Sequence, residues 1–315
     1  MFRLQVLESV DSTNEVIKRA IEDDEPEGLA IRAYKQTGGY GRQGRAWESP
    51  RGGMYESILL RPQVDMRELP TLALVVALAV RRALASLVVE DQARRIRIKW
   101  PNDVVLVGGD FGADCSTRGT ALELGGHTPC SGSPALENSP LGCSRRAELR
   151  AAHARRAQGF QASQTNAPSI KSLYSKLAGI SSEVHAGGIC VGIGVNVEPP
   201  EDAMEVGGKN APAYLADLGF GFACEREAAI NAVGDAVLHE FEPLYRRWCD
   251  GGFAALSGEF AEHSMLEGRF VRMANQLGDV VCEGTVRGVD ASGRLVLRLE
   301  DGETKAVASG EVHLL

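Results

Sequence analysis

The stretch Gln36–Trp47, QTGGYGRQGRAW, sets four glycines (Gly38, Gly39, Gly41 and Gly44) and two arginines (Arg42 and Arg45) in twelve residues and closes on an aromatic. Glycine reaches backbone conformations closed to other residues and lets the main chain approach a ligand. An arginine guanidinium is a planar fork of donors suited to carboxylate and phosphate oxygens. Glycines alone would make a solvated turn the better reading. Arginines at spacing three, beside Trp47, point instead to a cationic loop that wraps a small anion. Leu29–Tyr34 reads as the strand entering this loop and Met54–Leu60 as the strand leaving it.

Toward the N-terminus, residues 4–10 are apolar enough for a first strand. Ser12-Thr13-Asn14-Glu15 then precedes Val16, Ile17, Ala20 and Ile21 at helical spacing, and Ser12 with Glu15 has the form of a capping box. A helix N-terminus is also an anion site, because its first N–H groups are unpaired. Thr13 and Asn14 add side-chain donors that a plain cap does not need.

Beyond the loop, residues 70–88 read as a core helix. Ile96–Lys99 alternates as a strand and runs into Trp100-Pro101-Asn102-Asp103, which sets a cation, an amide and a carboxylate around a turn. The plain reading of that turn is Pro-Asn-Asp with Trp100 packed inside. Val104–Val107 resumes as strand. From about Gly109 to Ile170 the chain is rich in Gly, Ser, Pro, Ala and Arg without sustained period, and disorder is expected. Ser144–Gln158 is the exception, with the composition for a short basic helix; a lid or partner arm through Arg145–Arg156, or a segment absent from the working protein, are the alternatives to inert disorder.

Order returns with strands over Tyr174–Val184 and Gly188–Val197. The glycines inside the second mark close approach of a ligand or another backbone. Helices are expected over Glu225–Trp248 and Ala254–Met265. From Gly268 the short runs Phe270–Ala274, Val280–Val289, Leu295–Leu299 and Thr304–Val307 suggest a small antiparallel barrel.

Composition narrows the function. A net charge of −8 over 315 residues argues against sequence-independent nucleic-acid binding. The N-terminus shows no signal peptide, and the longest apolar run, Leu72–Val80, is far short of a membrane span. Seven cysteines without a CxxC pair fit a reducing compartment, and six scattered histidines give zinc little support. No Ser-His-Asp set, Cys-His pair or GxxxxGK[ST] loop is present. What remains is a set of cations at loops and strand ends (Arg42, Arg45, Lys99, Lys176) with oxygen ligands from Asn102, Asp103 and Asn196. These suit a small carboxylate attacking a nucleoside triphosphate, a reaction run by positioning and charge neutralisation.

Four runs together resemble the biotin–protein ligases: ESVDSTN (8–14), QTGGYGRQGRAW (36–47), KWPND (99–103), and KLAGISSE (176–183) with GIGVN (192–196). The resemblance covers about 1–107 and 172–315. It implies an α+β fold, a mixed sheet flanked by helices in a class II synthetase-like catalytic domain over residues 1–266, interrupted by the insertion at about 109–170. An SH3-like β-barrel over 267–315 follows. It implies ATP-dependent activation of biotin as biotinyl-5′-AMP, with Mg²⁺ carried mainly by the ATP phosphates, and transfer to a lysine of a biotin carboxyl carrier domain.

By the same resemblance, Ser12, Thr13, Asn14 and Gln36 contact the biotin head group. Gly39, Tyr40, Gly41 and Arg42 form the loop over biotin and adenylate, and Gly179 and Gly192 give the ligand room. Lys176 holds the biotin carboxylate and α-phosphate. Arg45, Trp47, Lys99, Asn102 and Asn196 surround the nucleotide, and Asp103 assists the metal or the acceptor lysine. Lys176, Arg42 and Asp103 are the expected catalytic residues.

Three features depart from the family pattern: Tyr40 where the loop usually has an arginine, no winged helix before residue 1, and the insertion. A cytoplasmic ligase without DNA-binding or membrane partners is therefore expected, with a homodimer left open. The rival readings are a lipoate or octanoate transferase of the same fold class and a non-catalytic biotin-binding module.

Overall fold

The computed structural model describes residues 2–108, 173–200, 212–221, 225–275 and 277–315. The expectations for the insertion at 109–170, including its basic helix, fall outside these residues. Strands β1 (Arg3–Leu7), β2 (Leu29–Ala33), β3 (Gly53–Leu60), β4 (Ile96–Lys99), β5 (Asp103–Val107), β6 (Tyr174–His185) and β7 (Gly188–Asn196) form one sheet in the order β1-β2-β3-β7-β6-β5-β4. Only β1 and β2 run parallel, so the sheet is mixed as expected. β3 is buried along its whole length.

Strand alternation assigns each residue to a face. On β2, Ile31 faces helix α1 (Thr13–Glu22), where it packs with Ile17, Ile21, Leu59 and Cys190. Its neighbour Arg32 faces the other way, toward Asn231 and Asp235. Those two residues lie on α4 (Arg226–Gly251), whose Val233, Val237, Phe241 and Leu244 are buried at helical spacing. Helix α2 (Leu72–Ser86) packs with α4 and follows a 3₁₀ turn; α3 (Glu90–Ala93) leads into β4. The stretch Leu69–Ser86 is long and apolar enough to cross a bilayer, yet 61 % of it is buried inside this fold.

Register brings the future site together. Asp103, Gly179, Gly194 and Tyr55 form one row across β5, β6, β7 and β3, and Ser181, Gly192 and Ser57 form another. Lys176 would fall on the opposite face from Gly179 by simple alternation. The ladder between β5 and β6 shifts register between Val104 and Val105, leaving Leu177 as the extra residue. A bulge of this kind re-aims side chains, and it brings Lys176 onto the face of Gly179.

Two expectations are corrected here. Ser12 sits at the N-cap with extended backbone, φ −155, but its side chain makes no capping bond. The partner Glu15 is drawn away to Tyr40 Oη, 2.5 Å distant. The helix expected over Ala254–Met265 is shorter: α5 spans Ser257–His263, after a 3₁₀ turn at Phe253–Ala255.

The C-terminal strands β8 (Phe270–Ala274), β9 (Val280–Val289), β10 (Leu295–Arg298), β11 (Thr304–Val307) and β12 (Glu311–Leu314) form an antiparallel sheet ordered β11-β10-β9-β8-β12, consistent with the expected SH3-like barrel. Trp100 ties it to the large sheet: the indole is 1 % exposed and its Nε1 donates to the Gly293 carbonyl at 2.9 Å. Strand β12 escapes the sequence reading, yet it faces the site.

Candidate active site

A cleft of about 850 Å³ opens on the α1 face of the sheet. Thr13, Asn14, Gln36, Tyr40, Gly41, Arg42, Arg45, Trp47, Lys99, Asn102, Asp103, Lys176, Gly179 and Gly192 all line it. Ser12, Gly39 and Asn196 do not. Ser12 is 2 % exposed at the helix start. At Gly39 a Cβ would stand 2.4 Å from Ser49 Oγ and 2.8 Å from Gln36 Nε2, so the glycine lets the loop pass over that hydrogen bond. Asn196 donates its amide to the Lys176 carbonyl at 3.0 Å, which holds the strand beneath the lysine.

One end of the cleft is neutral and crowded with hydrogen bonds. Gln36 Oε1 accepts from the Thr13 N–H at 2.8 Å and the Thr13 hydroxyl at 3.0 Å. Ser57 Oγ lies 2.7 Å from both Thr13 Oγ1 and Asn14 Oδ1. Sequence reasoning missed Ser57. The signal was there: a serine inside the apolar run Gly53–Leu60 becomes a buried hydroxyl that needs partners.

The glycines of this floor serve side chains before ligand. A Cβ on Gly192 would lie 2.4 Å from Asn14 Oδ1 and 2.6 Å from Ser181 Oγ. One on Gly179 would lie 2.9 Å from the Trp47 ring and 3.0 Å from Lys176 Nζ. Gly194, also missed, would meet Trp47 Nε1 at 2.9 Å. In this structure Gly179 and Gly192 make room for side chains. They let Asn14, Ser181 and the Trp47 indole lie flat on the sheet. Among the described residues, Trp47 Nε1 has no hydrogen-bond acceptor there.

The other end is cationic. Lys176 Nζ is 2.7 Å from Asp103 Oδ1 and 4.9 Å from the Trp47 ring centroid. Arg42 donates to Asn102 Oδ1 at 3.1 Å, and Asn102 in turn donates to the Ile180 carbonyl at 2.7 Å. Burial lowers the Arg42 pKa, an effect Asp103 opposes. Arg45 reaches across to Glu311 of β12 at 2.5 Å. Lys99 is 9 % exposed, and burial depresses its pKa. Its Nζ stands 5.4 Å from the Tyr174 ring centroid, and among the described residues it has no ion-pair partner. The charges of Asp103 and Glu311 offset that burial in part, and a polyanion entering the cleft would offset it further.

The mixed sheet thus carries a cleft with a neutral polar well at one end and four cations, Arg42, Arg45, Lys99 and Lys176, at the other. The model of the biotin/lipoate A/B protein ligase family matches residues 6–113, and the model for the biotin protein ligase C terminal domain matches 268–315.

The chain is 35 % identical over 100 residues to the bifunctional ligase/repressor BirA of Bacillus subtilis, covering 31 % of this chain and 30 % of that protein. It is 37 % identical over 129 residues to the biotin--[acetyl-CoA-carboxylase] ligase of Paracoccus denitrificans, covering 39 % of this chain and 48 % of that protein. These alignments thus span less than half of either relative. A longer one joins 99 % of this chain to 89 % of the biotin--[acetyl-CoA-carboxylase] ligase of Mycobacterium tuberculosis at 26 % identity. The biotin protein ligase of Aquifex aeolicus, solved with biotin and ATP, shares the fold with a TM-score of 0.62 at 24 % identity, over 100 % of this chain and 99 % of that one.

Proposed function

We propose that this protein is an ATP-dependent biotin–protein ligase. The observation that carries the proposal is the two-ended cleft. A ureido ring offers N–H donors and a carbonyl acceptor to the well of Thr13, Asn14 and Gln36. A lipoyl dithiolane offers neither, so it could take up none of the hydrogen bonds that this polar well has to give. At the other end Lys176, Arg42, Lys99 and Arg45 would neutralise carboxylate and phosphates.

In the first step a biotin carboxylate oxygen attacks the α-phosphorus of ATP, forming the P–O bond of biotinyl-5′-AMP as pyrophosphate leaves. Two anions must approach within bonding distance. Unit charges 4 Å apart repel by about 4 kcal/mol at an effective dielectric constant near 20, and Lys176 is placed to offset this. In the second step a carrier lysine amine attacks the acyl carbon and AMP leaves. Asp103, already holding one ammonium at 2.7 Å, is placed to receive the incoming amine.

Among the described residues no group of three His, Cys, Asp or Glu could hold a metal ion. The donor set would fit Mg²⁺ only as a cation carried by the ATP phosphates; the carboxylates that line the cleft are Asp103 and Glu311. The partners of this reading are biotin, ATP and a biotin carboxyl carrier domain, in the cytoplasm.

Purified protein is expected to release pyrophosphate only with biotin and MgATP together, then to label a carrier lysine. Equal pyrophosphate release with lipoate or octanoate would refute the assignment, and biotin binding without release would reduce the protein to a binding module. Gly192→Ala is expected to weaken biotin binding at least about tenfold, or about 1.4 kcal/mol, in calorimetric titration. Its Cβ would displace Asn14 and Ser181, so wild-type affinity would remove Asn14 from the biotin site.

A further inference from the structure

The glycine–arginine loop is folded back on itself as a short hairpin. Trp47 N–H donates to the Gly39 carbonyl at 2.9 Å and Gly41 N–H to the Arg45 carbonyl at 2.8 Å, with Tyr40 bridged to Ala46. The 3₁₀ turn Arg42–Gly44 forms its tip, where Gly44 takes φ +68. Two main-chain bonds are a weak hold on a segment this rich in glycine, whose unfolded freedom is large.

A side-chain contact supplies more. Tyr40 Oη donates to Glu15 Oε1 at 2.5 Å and accepts from Lys18 Nζ at 2.7 Å, both on α1. Lys18 also stands 2.6 Å from Glu183 Oε2 on β6 and 5.1 Å from the Tyr40 ring centroid. The chain of contacts runs loop, helix, strand, and each hydroxyl and ammonium position in it is charge-assisted. Burial, with the bond to Glu15, pushes the Tyr40 phenol up to about 12. The Tyr40 hydrogen bond holds the Glu15 carboxyl below its usual value. Burial opposes the Lys18 ammonium, but its bonds to Glu183 and Tyr40 outweigh that and raise its pKa. All three groups thus keep their bonding states across neutral pH.

We propose that Tyr40 is a latch: its hydroxyl, clamped between Glu15 and Lys18 with Glu183 behind, pins the loop closed over the cleft before any ligand binds. It is a positioning residue, acting through the loop that carries Arg42, Arg45 and Trp47. An arginine at this position could not make the same contact with Lys18, since two cations would face each other. Tyr40 therefore holds the loop in this hairpin in the absence of ligand. The effect on adenylate retention rests on the ligase reading; the latch itself does not.

The test separates the two. In ligand-free protein, trypsin cleavage after Arg42 and Arg45 reports loop opening without any activity. Wild type is expected to be cut slowly, and Tyr40→Phe, which keeps the ring and loses the hydroxyl, at least about tenfold faster. Lys18→Met and Glu183→Gln should show the same order of effect, with the thermal midpoint of all three close to wild type. The release rate of prebound biotinyl-5′-AMP should rise by a similar factor in Tyr40→Phe, with kcat for pyrophosphate formation changed less than that rate. Cleavage of Tyr40→Phe and Lys18→Met at the wild-type rate would overturn the latch. Faster cleavage without any adenylate binding would keep the latch and sink the ligase reading instead.

Discussion

Lys176→Met is expected to lower biotin-dependent pyrophosphate release by about 10²–10³-fold, the scale on which one preorganised charge-stabilising group acts. Methionine keeps an apolar stem of similar length against the Trp47 ring and removes only the charge. The ammonium now pairs with Asp103 and faces Trp47, an arrangement in which an arriving carboxylate and α-phosphate would share it. If the lysine serves both anions, kcat and kcat/KM fall together while the affinity for biotin falls less, because the transition state brings the second anion closer than the ground state does. Steady-state pyrophosphate assays with calorimetric biotin titration measure both. Wild-type turnover in Lys176→Met would remove the lysine from the chemistry. A loss confined to biotin affinity would make it a carboxylate anchor only.

Much of this site was legible because each motif carries its own local geometry. A strand, a turn and a charge follow from IKWPND read alone, and the start of α1 follows from Ser12–Glu15 even though the capping bond does not form. What escaped is what only cross-strand register creates. The row Asp103, Gly179, Gly194 and Tyr55 exists because four strands pair at those residues, and nothing in GIGVN shows that its second glycine will lie under Trp47. The bulge that turns Lys176 onto that face is equally silent in the sequence, since KLAG reads as ordinary strand. Glu311 and His313 line the cleft from β12, a four-residue strand at the very end of the chain, too short for period-two patterning to stand out. Tyr40 is the converse case. Its type was visible as a departure, but its role depends on Lys18 and Glu183, far apart in sequence.

The largest stability effect lies outside the cleft, on the other face of the sheet. Arg32→Met is expected to destabilise the fold by roughly 3–5 kcal/mol, the usual cost of stranding one partner of a buried ion pair. Arg32 and Glu56 are both fully buried and 2.8 Å apart, on adjacent strands β2 and β3. The guanidinium also bonds the Asn231 side chain at 3.1 Å and Asp235 at 3.0 Å on α4. Gly234 is what admits it: a Cβ there would stand 2.3 Å from the guanidinium. Burial raises the Glu56 carboxyl to about 7 against the pull of Arg32.

A folded-state pKa above the unfolded 4.5 means the folded protein binds the extra proton. Its stabilising contribution is therefore complete below about 4.5 and is lost as pH rises through about 7. Without Arg32 the carboxyl rises further, so the loss extends to higher pH and the variant's defect should be larger at pH 8 than at pH 6. At about 2–4 °C per kcal/mol for a domain of this size, the thermal midpoint should fall by about 10 °C at neutral pH. Replacing both partners, as in Arg32→Met with Glu56→Leu, leaves no buried charge and should recover most of the loss. A double variant no more stable than Arg32→Met would show that the bonds from Arg32 to α4, rather than its pairing with Glu56, hold the helix to the sheet.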